Sequence, residues 1–407
     1  MSKEEIREKG AEQPELRAEK PIRRRFGFWR ILLVVLVLLA LLLLVCVKLF
    51  PGAFDFARLV RTFRYMGLRD QAGYGQITFD PNPVNTFAAF GDGLLVGGEN
   101  SVTLTALDGE QKAFAQGPIS NPVLVCGAET AVCFSPGDSY LVVLDSDGAI
   151  LEEQTEAGAF LDADVSADGY LCTVTSESGY KSVSAVKNPN QEVVFRFSSR
   201  TRYLNACAVP EGGKLLAVAS LGEEDGVYRS ELILLDTGKV VNDLEKDPAV
   251  IRADLGNQVI YELKFLDRSH ICAIGEDDIR FLNTKGELIS SLSLAEQQLL
   301  DYSFNGEGRL TAALGQGTTG ERSLVLTLDA EGSETARREY ADHVRSLSSA
   351  GDYTAVLTDL YMDLLNQKLE PYRKSWQTGG TARSVMLRPD GTAFLIGTSS
   401  ASLYIPD

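Results

Sequence analysis

Histidine and tryptophan are nearly missing from this chain, two of each in 407 residues. The histidines, His270 and His343, are a thin supply for chemistry that moves protons through imidazole. Cysteine occurs six times with no C-x-x-C or Cys/His spacing, so nothing here reads as a zinc site. Cys46 lies in an apolar run and reads as a packing residue. Cys126, Cys133, Cys172, Cys207 and Cys272 each sit among strand-like apolar residues, where a buried small hydrophobe is the default role. Their odd count leaves at least one unpaired. Cys126 and Cys133 bracket a short turn and could face each other across a hairpin, where a disulfide is geometrically allowed. Helical periodicity is also missing beyond residue 77, except around Leu292–Leu300.

Positive charge is scarce, and unevenly spread. The chain holds 39 Lys+Arg against 56 Asp+Glu, a net of −17. Met1–Phe50 contains 10 basic and 6 acidic residues, which leaves 29 basic and 50 acidic, net −21, for Pro51–Asp407. Such an acidic region does not seek nucleic acid or anionic lipid through its bulk field. Met1–Lys20 has too few apolar residues to offset the entropy of ordering and reads as a tail without a core.

One long apolar run is present. Ile31–Val47 (ILLVVLVLLALLLLVCV) carries no charge, with Arg30 before it and Lys48 after it. About 20 apolar residues in a helix cross the roughly 30 Å hydrocarbon layer, and the flanking Phe26, Phe28, Trp29, Leu49 and Phe50 extend this run to suit the interfaces. Arg17, Lys20, Arg23, Arg24, Arg25 and Arg30 precede it, a denser group than Lys48, Arg58, Arg61 and Arg64 after it, so the N-terminus is expected in the cytoplasm. A cleaved signal peptide is the alternative, but its core would be shorter and Phe50–Pro51–Gly52–Ala53 lacks the small residues cleavage needs. Val45 is likewise too large for a lipidation box at Cys46.

Beyond Pro51–Gly52, Asp55 offers an N-cap and Gly67 a stop. Between them Phe56, Leu59, Val60, Phe63 and Met66 recur at helical spacing, with Arg58, Arg61, Arg64 and Arg69 around them. Two readings stand level: a helix in the outer headgroup layer, or one packed under a globular domain. Gln71–Gln76 (QAGYGQ) reads as a hinge. The expected organisation is a cytoplasmic tail over 1–27, a transmembrane signal-anchor over 28–50, a juxtamembrane helix and hinge over 51–74, and an extracytoplasmic β-domain over 75–407.

That domain repeats. A turn after an apolar run recurs as ALDGE (Ala106–Glu110), LDSDG (Leu144–Gly148), KNPNQ (Lys187–Gln191), LDTGK (Leu235–Lys239), NTKGE (Asn283–Glu287), LDAEG (Leu328–Gly332) and NQKLE (Asn366–Glu370), with YIPD (Tyr404–Asp407) last. It suits the hairpin between the third and fourth strands of a propeller blade. A second mark, as in DADVSADGYLCTVT (Asp162–Thr175) and RSVMLRPDGTAFLI (Arg383–Ile396), suits the first and second strands. Spaced about 40–50 residues apart, such units point to an all-β, eight-bladed β-propeller; seven blades is the alternative if two units merge. The last unit stops after its third strand. Gly75–Asp80 (GQITFD) is expected to supply the missing fourth, with Ile77–Phe79 beside Ser402–Ile405, closing the ring and protecting the strand edges.

The order of basic tail, anchor, Arg-rich linker, GYGQITFD and repeats including TSESGYKSVSAV (Thr175–Val186) resembles an uncharacterised family, a domain of unknown function. Its members are membrane-anchored, quinoprotein-like β-propellers with PQQ-like repeats, from clostridia-type Gram-positive bacteria. The resemblance implies fold and topology and carries no chemistry. Pyrroloquinoline-quinone dehydrogenases share the eight-bladed design but use docking tryptophans, a vicinal disulfide and a calcium site. Here the tryptophans are Trp29 and Trp376 alone, and no two cysteines are adjacent. Ser166–Gly169 lacks the spacing and tryptophan of a sialidase Asp box, and Asp145–Gly148 lacks the later ligands of a calcium loop. No catalytic residue, cofactor or metal ligand is assigned.

Aligned first strands begin with polar residues: Asn85, Asn121, Asp162, Asn205, Glu262, Asp301, Arg345 and Arg383. In a propeller these line the central channel, where a ring of them could hold an ion or small polar ligand, or merely cap strand ends. The expected function is a non-catalytic binding or scaffold module, bound to the membrane by one pass and holding a protein, peptide or envelope polymer on the propeller face. An envelope-directed hydrolase or lyase, which needs paired carboxylates, and a transmembrane sensor are the alternatives.

Overall fold

The computed structural model describes residues 32–35, 37–38, 56–68, 73–155, 158–239, 250–316 and 322–406. The chain divides into two units, Met1–Val60 and Arg61–Asp407. In the first, Leu32–Val35, Val37 and Leu38 are helical and exposed. No helix among the described residues is long and apolar enough to cross a membrane. The tail and most of the Ile31–Val47 run, on which the anchor was expected, lie outside the described residues.

The second unit contains eight four-stranded antiparallel sheets, seven of them built from consecutive strands. Their first strands are Thr86–Phe90, Val123–Cys126, Phe160–Val165, Tyr203–Ala208, Ile260–Phe265, Gln298–Phe304, Val344–Ala350 and Ser384–Leu387. First strands pack side by side from blade 1 to blade 5 and from blade 6 to blade 8, and that of blade 8 meets that of blade 1. The molecule is the eight-bladed propeller that the repeat predicts. Second strands such as Thr130–Phe134 and Leu171–Thr175 are buried at every position, because a neighbouring blade covers each face. Fourth strands such as Gln111–Gln116 and Glu334–Tyr340 alternate, because they form the rim. Each fully buried Val, Leu, Ile or Phe side chain in these interfaces contributes about 1.5–3 kcal/mol.

The recurring turn owes its sequence to a backbone requirement. At the end of the third strand Asp145, Asn188, Asn283, Asp329 and Asn366 each accept, through the side chain, the N–H groups two and four residues on. The residue three positions on lies at positive φ: Gly148 at 93°, Gly286 at 78° and Gly332 at 79°, with Gln191 and Leu369 in the same conformation without the glycine. An Asx residue followed by a left-handed residue closes this five-residue loop.

Blade 8 takes its fourth strand from the front of the chain. Gln76–Thr78 pairs with Ser402, Ala401 and Ser400, and Phe79 N–H donates to the Ser399 carbonyl at 3.0 Å. The latch is therefore shifted toward Ser400 relative to the expected Ser402–Ile405. Gly75 is bound on both sides, donating to Leu107 O and accepting from Leu403 N–H. A Cβ there would stand 2.7 Å from Leu403 Cβ, so Gly75 belongs to the latch rather than to a hinge. Leu292–Leu300, the one stretch with a helical period, is the end of one strand, the turn Leu294–Gln297 and the start of another.

The helix Phe56–Arg64 forms as expected, with Gly67 beyond it at φ 77°. Among its described side chains the apolar ones are not the buried side. Arg61 and Tyr65 are each 1% exposed, whereas Phe63 and Met66 are open to solvent. Arg61 donates to Tyr353 Oη at 3.3 Å, to the Asp390 carbonyl at 2.6 Å and to Tyr372 Oη. Tyr65 donates to Asp390 Oδ2 at 2.8 Å, and Arg64 pairs with Asp92. These anchors all lie on turns or strand ends of blades 7, 8 and 1.

Candidate functional site

The eight first-strand residues do not form one ring. A β-bulge interrupts five first strands between Phe160 and Asp162, Leu204 and Ala206, Ile260 and Glu262, Leu299 and Asp301, and Val344 and Ser346. Asp162, Glu262 and Asp301 follow their bulges and occupy one equivalent position. Asn205 and Arg345 are the bulged residues themselves. Asn85, Asn121 and Arg383 precede their strands, in loops. Asn85 donates to Asp80 O at 2.8 Å, Asn121 is tied by its backbone N–H to Ser135 Oγ at 3.1 Å, and Asn205 donates to Ile260 O.

The position after the bulge joins one blade to the next. Asp162 Oδ2 accepts Cys207 N–H at 2.7 Å, Asp301 Oδ2 accepts Leu347 N–H at 2.6 Å, and Ser346 Oγ accepts Val385 N–H at 3.3 Å. Two residues further along, Asp164, Ser303 and Ser348 accept N–H groups of Val209, Ser349 and Leu387 in the same way. A strand alternates faces with period two, so both tiers project from the same side. These bonds satisfy backbone donors on the inner edge of each first strand, where no further strand pairs.

Between blades 3 and 5 the two tiers become a charged cluster. Lys264 Nζ reaches Asp164 Oδ1 at 2.5 Å across the first strand of blade 4. Tyr302 donates its hydroxyl to Glu262. Burial pushes the Asp162 carboxyl up to about 8, opposed by the Cys207 N–H and helped by the charges of Asp164 and Glu262. Burial also raises Glu262, against Tyr302 and Lys264, and Asp301, against the N–H groups of Leu347 and Tyr302. For Lys264 burial works downward, and the charge and hydrogen bond of Asp164 outweigh it. Burial thus favours the protonated form of Asp162. Asp164, Lys264 and Tyr302 are the members that the sequence reading missed; the Asp162-Ala-Asp164 and Glu262-Leu-Lys264 alternation was the available signal. Among the described residues no three His, Cys, Asp or Glu groups converge to hold a metal ion. The five cysteines among the described residues are free; Cys133 stands opposite Leu124 and Cys126 opposite Ala131, and burial pushes both thiols up to about 12.

The two faces differ. Turns between first and second and between third and fourth strands share the face that holds Arg61 and Tyr65. The opposite face carries the loops within and between blades, and there blade 4 projects a hairpin of two ten-residue strands, Leu215–Glu224 and Val227–Asp236. Tyr180, Tyr203, Tyr228 and Tyr261 are all exposed at this end of blades 3 to 5, Tyr228 by 65%. Lys181 lies 4.4 Å over the Tyr203 ring and Arg200 5.3 Å over that of Tyr180. Arg345 and Arg383 stand elsewhere on the same face, lining a cavity between blades 7 and 8.

Solved structures share the architecture. BamB from Moraxella catarrhalis is 14% identical, with 81% of this chain and 97% of that chain covered and a TM-score of 0.46. Saccharomyces cerevisiae Sqt1 is 8% identical, covering 83% and 100%, at 0.54. The C-terminal WD40 domain of Sif2 is 12% identical, covering 82% and 95%, at 0.51. At such identities the likeness is one of fold. No curated protein matches the sequence. A family model matches residues 76–368, from the latch strand to the last hairpin of blade 7, and the chain belongs to that family, DUF5711, a family of unknown function.

Proposed function

We propose that this protein is a membrane-anchored, extracytoplasmic binding or scaffold module. The observation that carries the reading is the exposed tyrosine patch on blades 3 to 5 (Tyr180, Tyr203, Tyr228, Tyr261) beside the projecting hairpin. Tyrosine brings large, stiff, amphipathic area to an interface and is concentrated at binding hot spots. The inner acidic side chains support the same reading: Asp162, Asp164 and Asp301 are spent on backbone N–H groups of the next blade, which stiffens the platform. The membrane part of the proposal rests on the Ile31–Val47 run and the basic residues before it. The exposed Phe63 and Met66 beside Arg64 suit a face turned toward lipid headgroups.

The test is the full-length double variant Tyr203→Glu/Tyr228→Glu, expressed in cells and purified in detergent. Material that co-purifies with the parent protein is expected to be lost, with the circular dichroism spectrum unchanged. Identical co-purification from both proteins would reject the patch as the binding surface.

A further inference from the structure

Blade 7 lacks most of its rim strand. After the third strand Tyr361–Asn366, only Trp376–Gln377 pairs back, at Met362 and Tyr361. Pro371, which has no N–H to donate, makes a lone bridge to Leu365. The gap opens two cavities between blades 7 and 8, of about 600 Å³ and 510 Å³. Each falls in the range of small-ligand pockets, roughly 300–1,000 Å³. They share Trp376, Leu395 and Ser402.

The walls are unlike the rest of the molecule. In a chain with 56 Asp+Glu, no carboxylate among the described residues lines either cavity, whereas Arg345 and Arg383 line the larger and Arg373 and Lys374 the smaller. At the margin Arg345 meets Asp359 at 2.7 Å, and Arg373 lies 4.4 Å over the Tyr372 ring. Arg383 and Lys374 are exposed and make no side-chain hydrogen bond or ion pair among the described residues. The rest of the larger cavity is mostly Ser, Thr and Gly. There Thr378 Oγ1 is buried without a hydrogen-bond partner. Trp376 borders both cavities, 51% exposed, with its ring 5.2 Å from that of Tyr404.

We propose that this groove binds an anionic glycan. A flat indole with one open face suits a sugar ring, the hydroxyl-lined wall suits sugar hydroxyls, and the orphaned Thr378 Oγ1 gains a partner. Lys374 and Arg383, with no carboxylate between them among the described residues, select ligands that carry carboxylate or phosphate. A peptide added as a strand fits less well, because the edge of the third strand is taken: Tyr372 N–H already donates to Leu364 O at 2.8 Å. The proposal stands apart from the tyrosine patch on blades 3 to 5.

The experiment titrates the full chain in detergent with hexagalacturonate and with mannopentaose phosphate, following tryptophan emission and heat. Maltohexaose is the neutral control and hexaglutamate the peptidic anion. One or both anionic sugars should bind saturably and more weakly as salt rises, and which one binds identifies the acid group. Trp376→Phe should abolish the fluorescence change, since Trp29 is the only other indole. Trp376→Ala, Arg383→Ala and Lys374→Ala should each weaken binding about tenfold, the equivalent of about 1.4 kcal/mol. All three are exposed, so urea unfolding should be unchanged. Failure of both anionic sugars, equal binding of maltohexaose, or equal or tighter binding of hexaglutamate would overturn the proposal.

Discussion

Ile77, near the front of the propeller, lies opposite Ala401, near the end of the chain, and this pairing makes blade 8 whole. Ile77 is 2% exposed and packs with Leu94, Phe394 and Ala401, while Gln76 and Thr78 on either side face solvent. The ring is closed by one buried side chain and a short ladder. Ile77→Ala is expected to lower stability by about 2–5 kcal/mol in urea unfolding. Thr78→Ala should stay within about 0.5 kcal/mol of the parent. Equal, small effects at both positions would mean that the latch does not hold the ring.

The Asp162 carboxyl makes stability depend on pH. Its folded value of about 8 lies well above the roughly 3.9 of an unfolded Asp. Between those values the folded chain keeps a proton that the unfolded chain has released. Stability therefore falls as pH rises through that window, by up to about 1.4 kcal/mol per pH unit from this group, and levels off above it. Glu262, also raised by burial, acts in the same direction. Asp162→Asn keeps an oxygen for Cys207 N–H and removes the titration. The loss of stability between about pH 5 and pH 8 should shrink by at least about 1 kcal/mol in this variant. An unchanged pH profile in urea titrations would show that Asp162 ionises freely.

Gln191 occupies the left-handed position of a turn where three related turns have glycine, at φ 64°. Its side-chain amide is buried with neither Nε2 nor Oε1 hydrogen-bonded. Gln191→Gly removes a strain of about 1–2 kcal/mol and an unsatisfied amide, against about 0.5–1 kcal/mol of added backbone freedom. The variant should be more stable by roughly 1 kcal/mol. A lower urea midpoint would show that the Gln191 side chain holds the turn.

These sites also show what a sequence can disclose. The turn after the third strand is a local object, an acceptor side chain followed by a left-handed residue, so Asp145, Asn283 and Asp329 announced the blades directly. The latch was readable because Gly75–Asp80 is a strand without a hairpin partner. The channel was harder. A bulge adds one residue, so a register counted straight along the strand put Asn205 and Arg345 in line with Asp162, though they are the extra residues. Lys264 and Asp164 meet from strands a hundred positions apart, and no local pattern reports that distance. The helix left two readings level, and its periodicity could not report that hydroxyl partners from Tyr353 and Tyr372 make Arg61 the residue to enclose. At blade 7, the sequence reading did not single out Pro371, and only the assembled ring shows the cavity beside it.

We propose that the loop-rich face of blades 3 to 5 is the working surface and the turn face of the ring is not. Photo-crosslinking in intact cells tests it, with the reactive residue placed at Tyr228 or at Lys285, an exposed position on a turn of the opposite face. The account predicts a discrete crosslinked product from Tyr228, weakened by Tyr203→Glu, and none from Lys285. Crosslinks from Lys285 alone, or equally from both positions, would contradict it.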